Sequence, residues 1–166
     1  YDLTNETFKF ISKASKLKKV KFYIPINNIN KNFSKNKTLL SKIKNVKLIQ
    51  NCTNERFLKI IAKCDISIGA GGVSLIEKIA LGLPSFVVKI ANNQENSINF
   101  LKNKKIIYYF GDKSKVNYEI LINYLNYLIN NKKKFREFSK KTFSYFKNKD
   151  LYLLSKKLSL IINQSN

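Results

Sequence analysis

Histidine is absent from this sequence of 166 residues, and acidic residues are scarce, at ten against 32 basic residues. Without an imidazole, the chain cannot form the Ser/His/Asp or Cys/His sets that activate a nucleophile. The few carboxylates also leave almost no ligands for a zinc site, and we expect neither a metal nor a cofactor. The sequence therefore offers binding groups without a convincing general base, and we assign no catalytic residue.

Cysteines and long apolar runs are also in short supply. The two cysteines, Cys52 and Cys64, are too few for a disulfide scaffold, so we expect reduced, half-buried thiols in a cytoplasmic protein. No apolar run reaches the roughly 18 residues of a transmembrane helix, and we expect no membrane span. The sequence begins at Tyr1 without a methionine or a signal peptide, which leads us to expect a piece of a longer protein.

Positive charge is what the sequence has in excess, with a net charge of +22. One interpretation is a nucleic-acid or anionic-membrane partner. The other is compositional drift in an AT-rich genome, because the abundant Lys, Asn, Ile, Phe and Tyr share A/T-rich codons. The lysines are scattered, and only Arg56 and Arg136 have the fork geometry that phosphate and base recognition favours. We favour drift and expect no specific nucleic-acid partner, with a general attraction to anionic substrates.

Strand and helix patterns alternate along the chain. Apolar runs predict strands at 20–24 (closed by Pro25), 46–49, 66–68, 85–90 and 106–109, with a turn at Gly111-Asp112 after the last strand. Helical spacing predicts helices at about 4–17, 34–43, 55–63, 73–81, 95–102, 118–130, 132–146 and 151–162. This alternation predicts an α/β fold with a Rossmann-like, doubly wound parallel sheet in one domain, made of a core at 1–112 and a helical tail at 113–166. Because a helix comes first, we expect the first strand to lie upstream.

The stretch 62–94 contains four of the five glycines and organises the rest of the chain. It is predicted to form a strand, a glycine turn at 69–72, a helix, a second strand and a polar loop at 92–94. Gly82 and Pro84 are typical of the end of that helix. A glycine turn that opens a helix favours phosphate, because free N–H groups and the positive end of the helix dipole point there.

Ligands of open α/β sheets bind beyond the carboxyl ends of the strands. Four predicted loops meet that condition, and they are rich in Asn, Gln, Ser and Thr, which suits a neutral hydroxyl-rich ligand or a nucleotide. These loops are 2–4, 26–30, 50–53, and 69–74 with 92–94 beside it.

Each candidate side chain has a structural alternative. The Ser74 hydroxyl could meet a phosphate oxygen or simply cap the helix. Glu77, one turn further along, could accept hydrogen bonds from a ribose diol or only complement the helix dipole. Asn93 and Gln94 could bind sugar hydroxyls or cap the next helix. Asp65 precedes its strand at the end away from the site, so we expect a structural role for it.

The familiar nucleotide motifs GxGxxG and GxxxxGK[ST] do not occur. The run at 64–74, followed by Glu77, the LGLP of 81–84 and the pair Asn93-Gln94, resembles the C-terminal domain of two-domain GT-B-fold proteins that bind UDP-sugars. The resemblance is nearest to the UDP-sugar hydrolases of pseudaminic acid biosynthesis, which remove UDP from a 2,4-diacetamido-2,4,6-trideoxy sugar. It is more distant to the peptidoglycan N-acetylglucosaminyl transferases.

The start of the chain carries part of the same resemblance, at Asp2, Asn5, Thr7 and Lys9. In total the resemblance covers roughly residues 1–112. It implies a diphosphate held by the glycine loop and the hydroxyl after it, a ribose held by the helix glutamate, and uracil against the loop that matches 49–52. The residues implied are Ile49, Gln50, Gly71, Gly72, Ser74 and Glu77 for the nucleotide, and Asn93 and Gln94 for the sugar.

Two departures from the family pattern limit what the chain can do. Val73 stands where relatives carry Ser or Thr, so one phosphate-contacting hydroxyl is lost. The catalytic histidine of the hydrolases belongs to an N-terminal domain that this sequence does not contain. The resemblance therefore implies a domain that binds a UDP-sugar and needs the missing N-terminal domain for turnover. The alternatives are the donor-binding domain of a UDP-sugar-dependent GT-B glycosyltransferase and a basic nucleic-acid-binding protein.

Overall fold

The structure, a computed structural model, describes residues 3–26 and 33–147. Backbone contacts divide the chain into two compact units. Among the described residues, the first unit joins 3–26 and 33–60 with 117–130, and the second joins 61–116 with 131–147. The predicted helix at 151–162, the start of the predicted loop at 2–4 and most of the loop at 26–30 lie outside the described residues.

Helices and strands alternate as the sequence predicts. In chain order they are α1 (Leu3–Ala14), β1 (Phe22–Ile26), α2 (Phe33–Ser41), β2 (Val46–Gln50), α3 (Asn54–Ile61), β3 (Ser67–Ala70), α4 (Val73–Ala80), β4 (Ser85–Lys89), α5 (Glu95–Asn103), β5 (Ile107–Asp112), α6 (Tyr118–Asn130) and α7 (Lys132–Lys147). A single 3₁₀ turn, Asn92–Gln94, precedes α5.

The first unit is built on the parallel pair β1-β2, in which Phe22 lies opposite Val46. Phe10 of α1 packs on Phe22 with their ring centroids 6.2 Å apart, in a T-shaped arrangement that suits the ring quadrupoles. Pro25 lies inside β1, opposite Ile49, whereas the sequence predicted that it closes the strand. Among the described residues β1 pairs only with β2, and Pro25 is the penultimate residue of β1.

The second unit contains the parallel sheet β3-β4-β5. Its core is formed by apolar side chains of α4, α5 and the strands, with exposures of 4% or less. These core residues are Leu75, Ile79, Val87, Ile98, Leu101, Ile106 and Ile107. Burial of this apolar surface is the main force that holds α4 and α5 to the sheet.

The predicted parallel α/β fold is confirmed, but the described strands form two sheets, of two and three strands, where the sequence predicted one. The predicted helix 118–130 has the bounds of α6. Every other predicted helix or strand within the described residues is found with ends shifted by a few positions.

Two predicted turns lie within strands. Gly69 and Ala70 were placed in the glycine turn, but they pair with Val87 and Val88 as the end of β3, so the turn is confined to 71–72. Gly111 was also placed in a turn, yet it lies in β5 with φ +104° at an irregularity in the register with β4. A glycine at positive φ accommodates the extra residue of a bulge.

Among the described residues, no helix combines the length and the apolar character that crossing a bilayer requires.

Candidate functional site

Six of the eight predicted binding residues belong to the second unit, at or near the carboxyl ends of β3 and β4. They are Gly71, Gly72, Ser74, Glu77, Asn93 and Gln94. The other two, Ile49 and Gln50, belong to the first unit.

The two adjacent glycines of the turn have different surroundings. A Cβ atom on Gly71 would lie 2.5 Å from Cδ1 of Ile98, which is 1% exposed in the core. A Cβ atom on Gly72 would meet only the side-chain nitrogen of Gln94, at 3.8 Å. Gly71 is therefore required for close packing of α5 against the turn, whereas Gly72 borders open space in which a ligand can approach the backbone.

The start of α4 lies directly on this turn. Gly72 is the N-cap, with extended φ and ψ of −83° and −166°, and no side chain of the described residues caps the helix. The backbone N–H of Leu75 donates to the Gly72 carbonyl at 2.9 Å, so the N–H groups of Val73 and Ser74 are the ones that have no acceptor inside the helix. The helix dipole makes this end positive. Ser74 is the second residue of α4, so it is not the N-cap, and its half-buried hydroxyl has no hydrogen-bond partner among the described residues.

Gln94 is the side chain that joins the turn from another element. The backbone N–H of Ile90 donates to Oε1 of Gln94 at 3.1 Å, which holds the side-chain amide in one orientation. The Nε2 group, a donor only, then faces the position above Gly72. The structure therefore brings Gln94 and Gly72 together, as the predicted site requires.

Glu77 and Asn93 complete the predicted set in the second unit. Glu77 is half-buried in α4, three residues after Ser74, so the two side chains share one face of the helix. Asn93 is exposed in the 3₁₀ turn. Both side chains are accessible to a ligand.

The first-unit residues are less suited to side-chain contacts than the sequence predicted. Ile49 is 2% exposed as a whole residue, so it offers a ligand almost no surface of its backbone or its side chain. Gln50 is exposed at the end of β2, where its Oε1 accepts a hydrogen bond from Lys37 at 3.3 Å. Asn51 follows with φ +48°, a left-handed conformation that asparagine tolerates better than most residues.

Sequence reasoning missed an ionic network at the carboxyl ends of β4 and β5. The Lys89 ammonium lies 3.2 Å from a carboxylate oxygen of Glu95 and 3.4 Å from one of Asp112. The Tyr109 hydroxyl also donates to Asp112. Burial and this hydrogen bond raise the pKa of Tyr109 to about 12, and the same bond, followed by Lys89, lowers the pKa of Asp112. The sequence did not predict the bulge at Gly111. This bulge shifts the register between β4 and β5 so that Lys89 lies opposite Asp112.

Sequence reasoning also missed Lys78, although helical spacing alone places it on the same face as Leu75 and Ile79. Its side chain is 9% exposed, and its Nζ lies 3.4 Å from the position that a Cβ atom of Gly69 would occupy. Burial lowers the pKa of Lys78, and the neighbouring charge of Glu77 opposes that shift.

The cysteines and metal-binding groups indicate no second site within the described residues. Cys52 and Cys64 are reduced and half-buried, as expected. Cys64 borders an open cavity of about 180 Å³ at the amino ends of β3 and β4, with Asp65, Leu83 and Pro84. Burial and Asp65 raise the pKa of the Cys64 thiol, which keeps it protonated and unreactive. No group of three potential metal ligands occurs within the described parts of the chain.

A scan of protein-family models finds no model that matches this chain, and a search of curated proteins finds no matching sequence.

Proposed function

We propose that this chain is the UDP-sugar-binding domain of a two-domain GT-B hydrolase. The intact enzyme would release UDP from a diacetamido-trideoxy sugar in surface-glycan biosynthesis of the pseudaminic acid type. The missing N-terminal domain would supply the base that activates water, since this chain contains no histidine. We also propose a cytoplasmic location, which the scarcity of cysteine favours.

The observation that carries this proposal is the set of donors around Gly72. The uncapped start of α4 supplies backbone N–H groups, and the oriented Nε2 of Gln94 faces the same glycine. A diphosphate presents only acceptors and negative charge, so it is complementary to a helix N-terminus with added donors. Because Gly72 has no side chain and borders open space, the ligand can reach these groups directly.

The remaining roles follow the order of groups along a UDP-sugar. Ser74 lies in the first turn of α4, beside the diphosphate, and Glu77 lies one turn further along, where it would accept hydrogen bonds from the ribose. Asn93 and Gln94 would contact the sugar. For uracil we keep the assignment that the resemblance implies, the loop that begins at Ile49 and Gln50.

The strand orders support the finer fold that we propose, a doubly wound GT-B half whose first strand is contributed by an upstream segment. In the order 3-2-1-4-5-6 of such folds, the first strand is central. Without the first strand, this order leaves the pair 3-2 and the triplet 4-5-6. The observed pair β1-β2 matches the first, and the observed triplet β3-β4-β5 matches the second.

Calorimetric titration of the chain with UDP tests the proposed function. We expect the wild-type chain to bind UDP, Glu77→Ala to weaken binding, and Gly72→Asp to abolish it, because a carboxylate would stand where the diphosphate binds. Gly72→Ala separates the effect of charge from that of size. As a matched control, Glu137→Ala removes a glutamate of the second unit that forms a surface ion pair with Lys134.

Two results would contradict the proposal. Absence of binding at millimolar UDP would remove the nucleotide site from this domain. Equal affinities for the wild type, Glu77→Ala and Gly72→Asp would place the nucleotide elsewhere on the chain. Unfolding curves of each variant show whether a loss of binding reflects a loss of structure.

A further inference from the structure

Lys78 occupies a position where a helix normally buries an apolar residue. In α4 it lies on one face with Leu75 and Ile79, which are 2% and 0% exposed. Lys78 itself is 9% exposed, which is unusual because lysine is almost never buried without a partner. The position therefore needs an explanation beyond packing.

The ammonium of Lys78 lies beside Gly69 in β3, just before the glycine-turn site, which we define by Gly71, Gly72, Ser74 and Gln94. Its Nζ lies beside Gly69, 3.4 Å from where a Cβ would be, so the missing side chain leaves room for it. Gly69 precedes Gly71 by two residues in the chain. Helical side chains lean toward the helix N-terminus, so the long stem of Lys78 extends from the second turn of α4 toward its start.

The Lys78 ammonium lacks an acceptor among the described residues but keeps access to solvent. Within the described chain it makes no hydrogen bond or ion pair, and its one opposite charge nearby is the adjacent Glu77. No fully buried side-chain nitrogen or oxygen of the described residues lacks a partner, so the Nζ of Lys78 must be partly accessible. A buried stem with an accessible, unpaired cation costs free energy that an anionic ligand would offset.

We infer that Lys78 is a cationic contact of the glycine-turn site and gives that site a preference for the more highly charged ligand, such as a nucleoside diphosphate over a monophosphate. This inference rests on the proposed function and adds a specificity-determining residue to it. The backbone N–H groups and Gln94 Nε2 are neutral donors that would also accept a neutral or singly charged ligand. A full positive charge strengthens the binding of both phosphates, but more for a diphosphate than for a monophosphate, which carries about −1.5 to −2 charges at pH 7.

The test compares four ligands, namely UDP, UMP, uridine and inorganic pyrophosphate, by calorimetry at fixed ionic strength. Lys78→Met keeps a long, unbranched stem but removes the charge. Lys63→Met removes the same charge from an exposed position of the second unit and is the matched control. We expect Lys78→Met to weaken UDP binding by about tenfold or more, as for other charged hydrogen bonds, with a smaller loss for UMP and none for uridine. Lys63→Met should bind like the wild type.

The outcomes separate this inference from the proposed function. If the wild type binds UDP and Lys78→Met binds it equally well, Lys78 only buries its stem and keeps its ammonium in water, and the inference is wrong while the function stands. If the wild type binds pyrophosphate but not UDP, and Lys78→Met loses pyrophosphate, the inference stands without the function. If the wild type binds neither, both are wrong.

Unliganded Lys78→Met should unfold at the same or a higher denaturant concentration than the wild type, which excludes misfolding as the cause of a loss.

Discussion

Helices α3 and α4 both follow a parallel strand, yet they begin in different ways. At α3, the hydroxyl of Thr53 accepts a hydrogen bond from the backbone N–H of Arg56 at 3.3 Å. The starts of α6 and α7 are likewise satisfied by the side-chain oxygens of Asn117 and Asn131. At α4, the N-cap is Gly72 and no side chain of the described residues satisfies the free N–H groups.

The lysine side chains of the two helices also differ in whether residues of the protein itself satisfy them. The lysine of α3, Lys59, is exposed and pairs with Glu55 one turn earlier, as lysines on surface helices commonly do. The lysine of α4, Lys78, is buried and has no such partner within the described chain. The helix start and the lysine of α3 thus have partners close by in the chain. Helix α4 is held by its core contacts, and its first N–H groups and its lysine ammonium are available to a ligand.

The largest effect should come from removing the core contact that holds α4 in place. Leu75→Ala deletes a side chain that is 2% exposed, and we expect it to lower the free energy of unfolding by about 2–5 kcal/mol. The matched change in α3, Leu58→Ala, affects a side chain that is 39% exposed and should cost less than about 1 kcal/mol. Urea denaturation measures both. Similar losses for the two variants would contradict the difference in how the helices are held.

The next effect concerns the two glycines of the turn. Gly71→Ala forces a methyl group into Ile98, so we expect a loss of about 1–3 kcal/mol in unfolding free energy. Gly72→Ala makes only an ordinary contact with the Gln94 side chain and should change stability by less than about 0.5 kcal/mol. Neither glycine has a positive φ, so backbone strain does not enter the comparison.

A double variant sharpens the assignment of Gly71. Gly71→Ala combined with Ile98→Ala makes room for the new methyl group, so the two changes should cost less than the sum of the single changes. Additive losses in denaturant unfolding would show that the methyl group added at position 71 does not act through Ile98.

A smaller effect should separate the capped start of α3 from the uncapped start of α4. Thr53→Ala removes the cap and should cost about 1 kcal/mol. Gly72→Asn adds a capping side chain to α4 and should raise stability by only a few tenths of a kcal/mol, since glycine is itself an acceptable N-cap. The added side chain would occupy the anion site, so UDP binding should fall although stability rises. A loss of stability in Gly72→Asn would indicate that the start of α4 is already satisfied.

The smallest expected effect is the pH dependence that Lys78 contributes. Burial lowers its pKa below the 10.5 of an unfolded lysine, so the folded state binds fewer protons than the unfolded state between these two values. Stability therefore rises with pH through this window and falls as pH decreases through the lowered pKa. The stability difference between Lys78→Met and the wild type should shrink as pH rises toward 10.5. A stability difference between Lys78→Met and the wild type that does not change with pH would contradict the assignment.

Most of the local structure was predictable, because it depends on periodicity and on glycine and proline. The helix from Tyr118 to Asn130 was predicted with its bounds, and the helix start after Gly72 was predicted to the residue. Pro25 and Gly111 were misassigned as ends and turns, because tolerance of either residue in a strand depends on which neighbouring strand pairs with it.

The candidate site was predictable in its parts but not in its arrangement. The sequence indicated that Gly72, Ser74 and Gln94 follow strand ends, which is where ligands bind in this class of fold. It could not indicate that Ile90 holds the Gln94 amide with its nitrogen over Gly72, or that Ile49 is buried.

The sequence alone determined the alternation of helices and parallel strands, the absence of histidine chemistry and the placement of a glycine turn before α4, because these depend on residue type and short-range spacing. Tertiary structure decided that Ile98 fills the space a side chain at position 71 would need, whereas the space beside Gly72 is accessible. It also decided that the ammonium of Lys78 lies beside Gly69. It also decided that the described strands form two sheets. These features depend on contacts between elements that are distant in the chain, and the spacing of residues along the chain does not indicate which elements pack together.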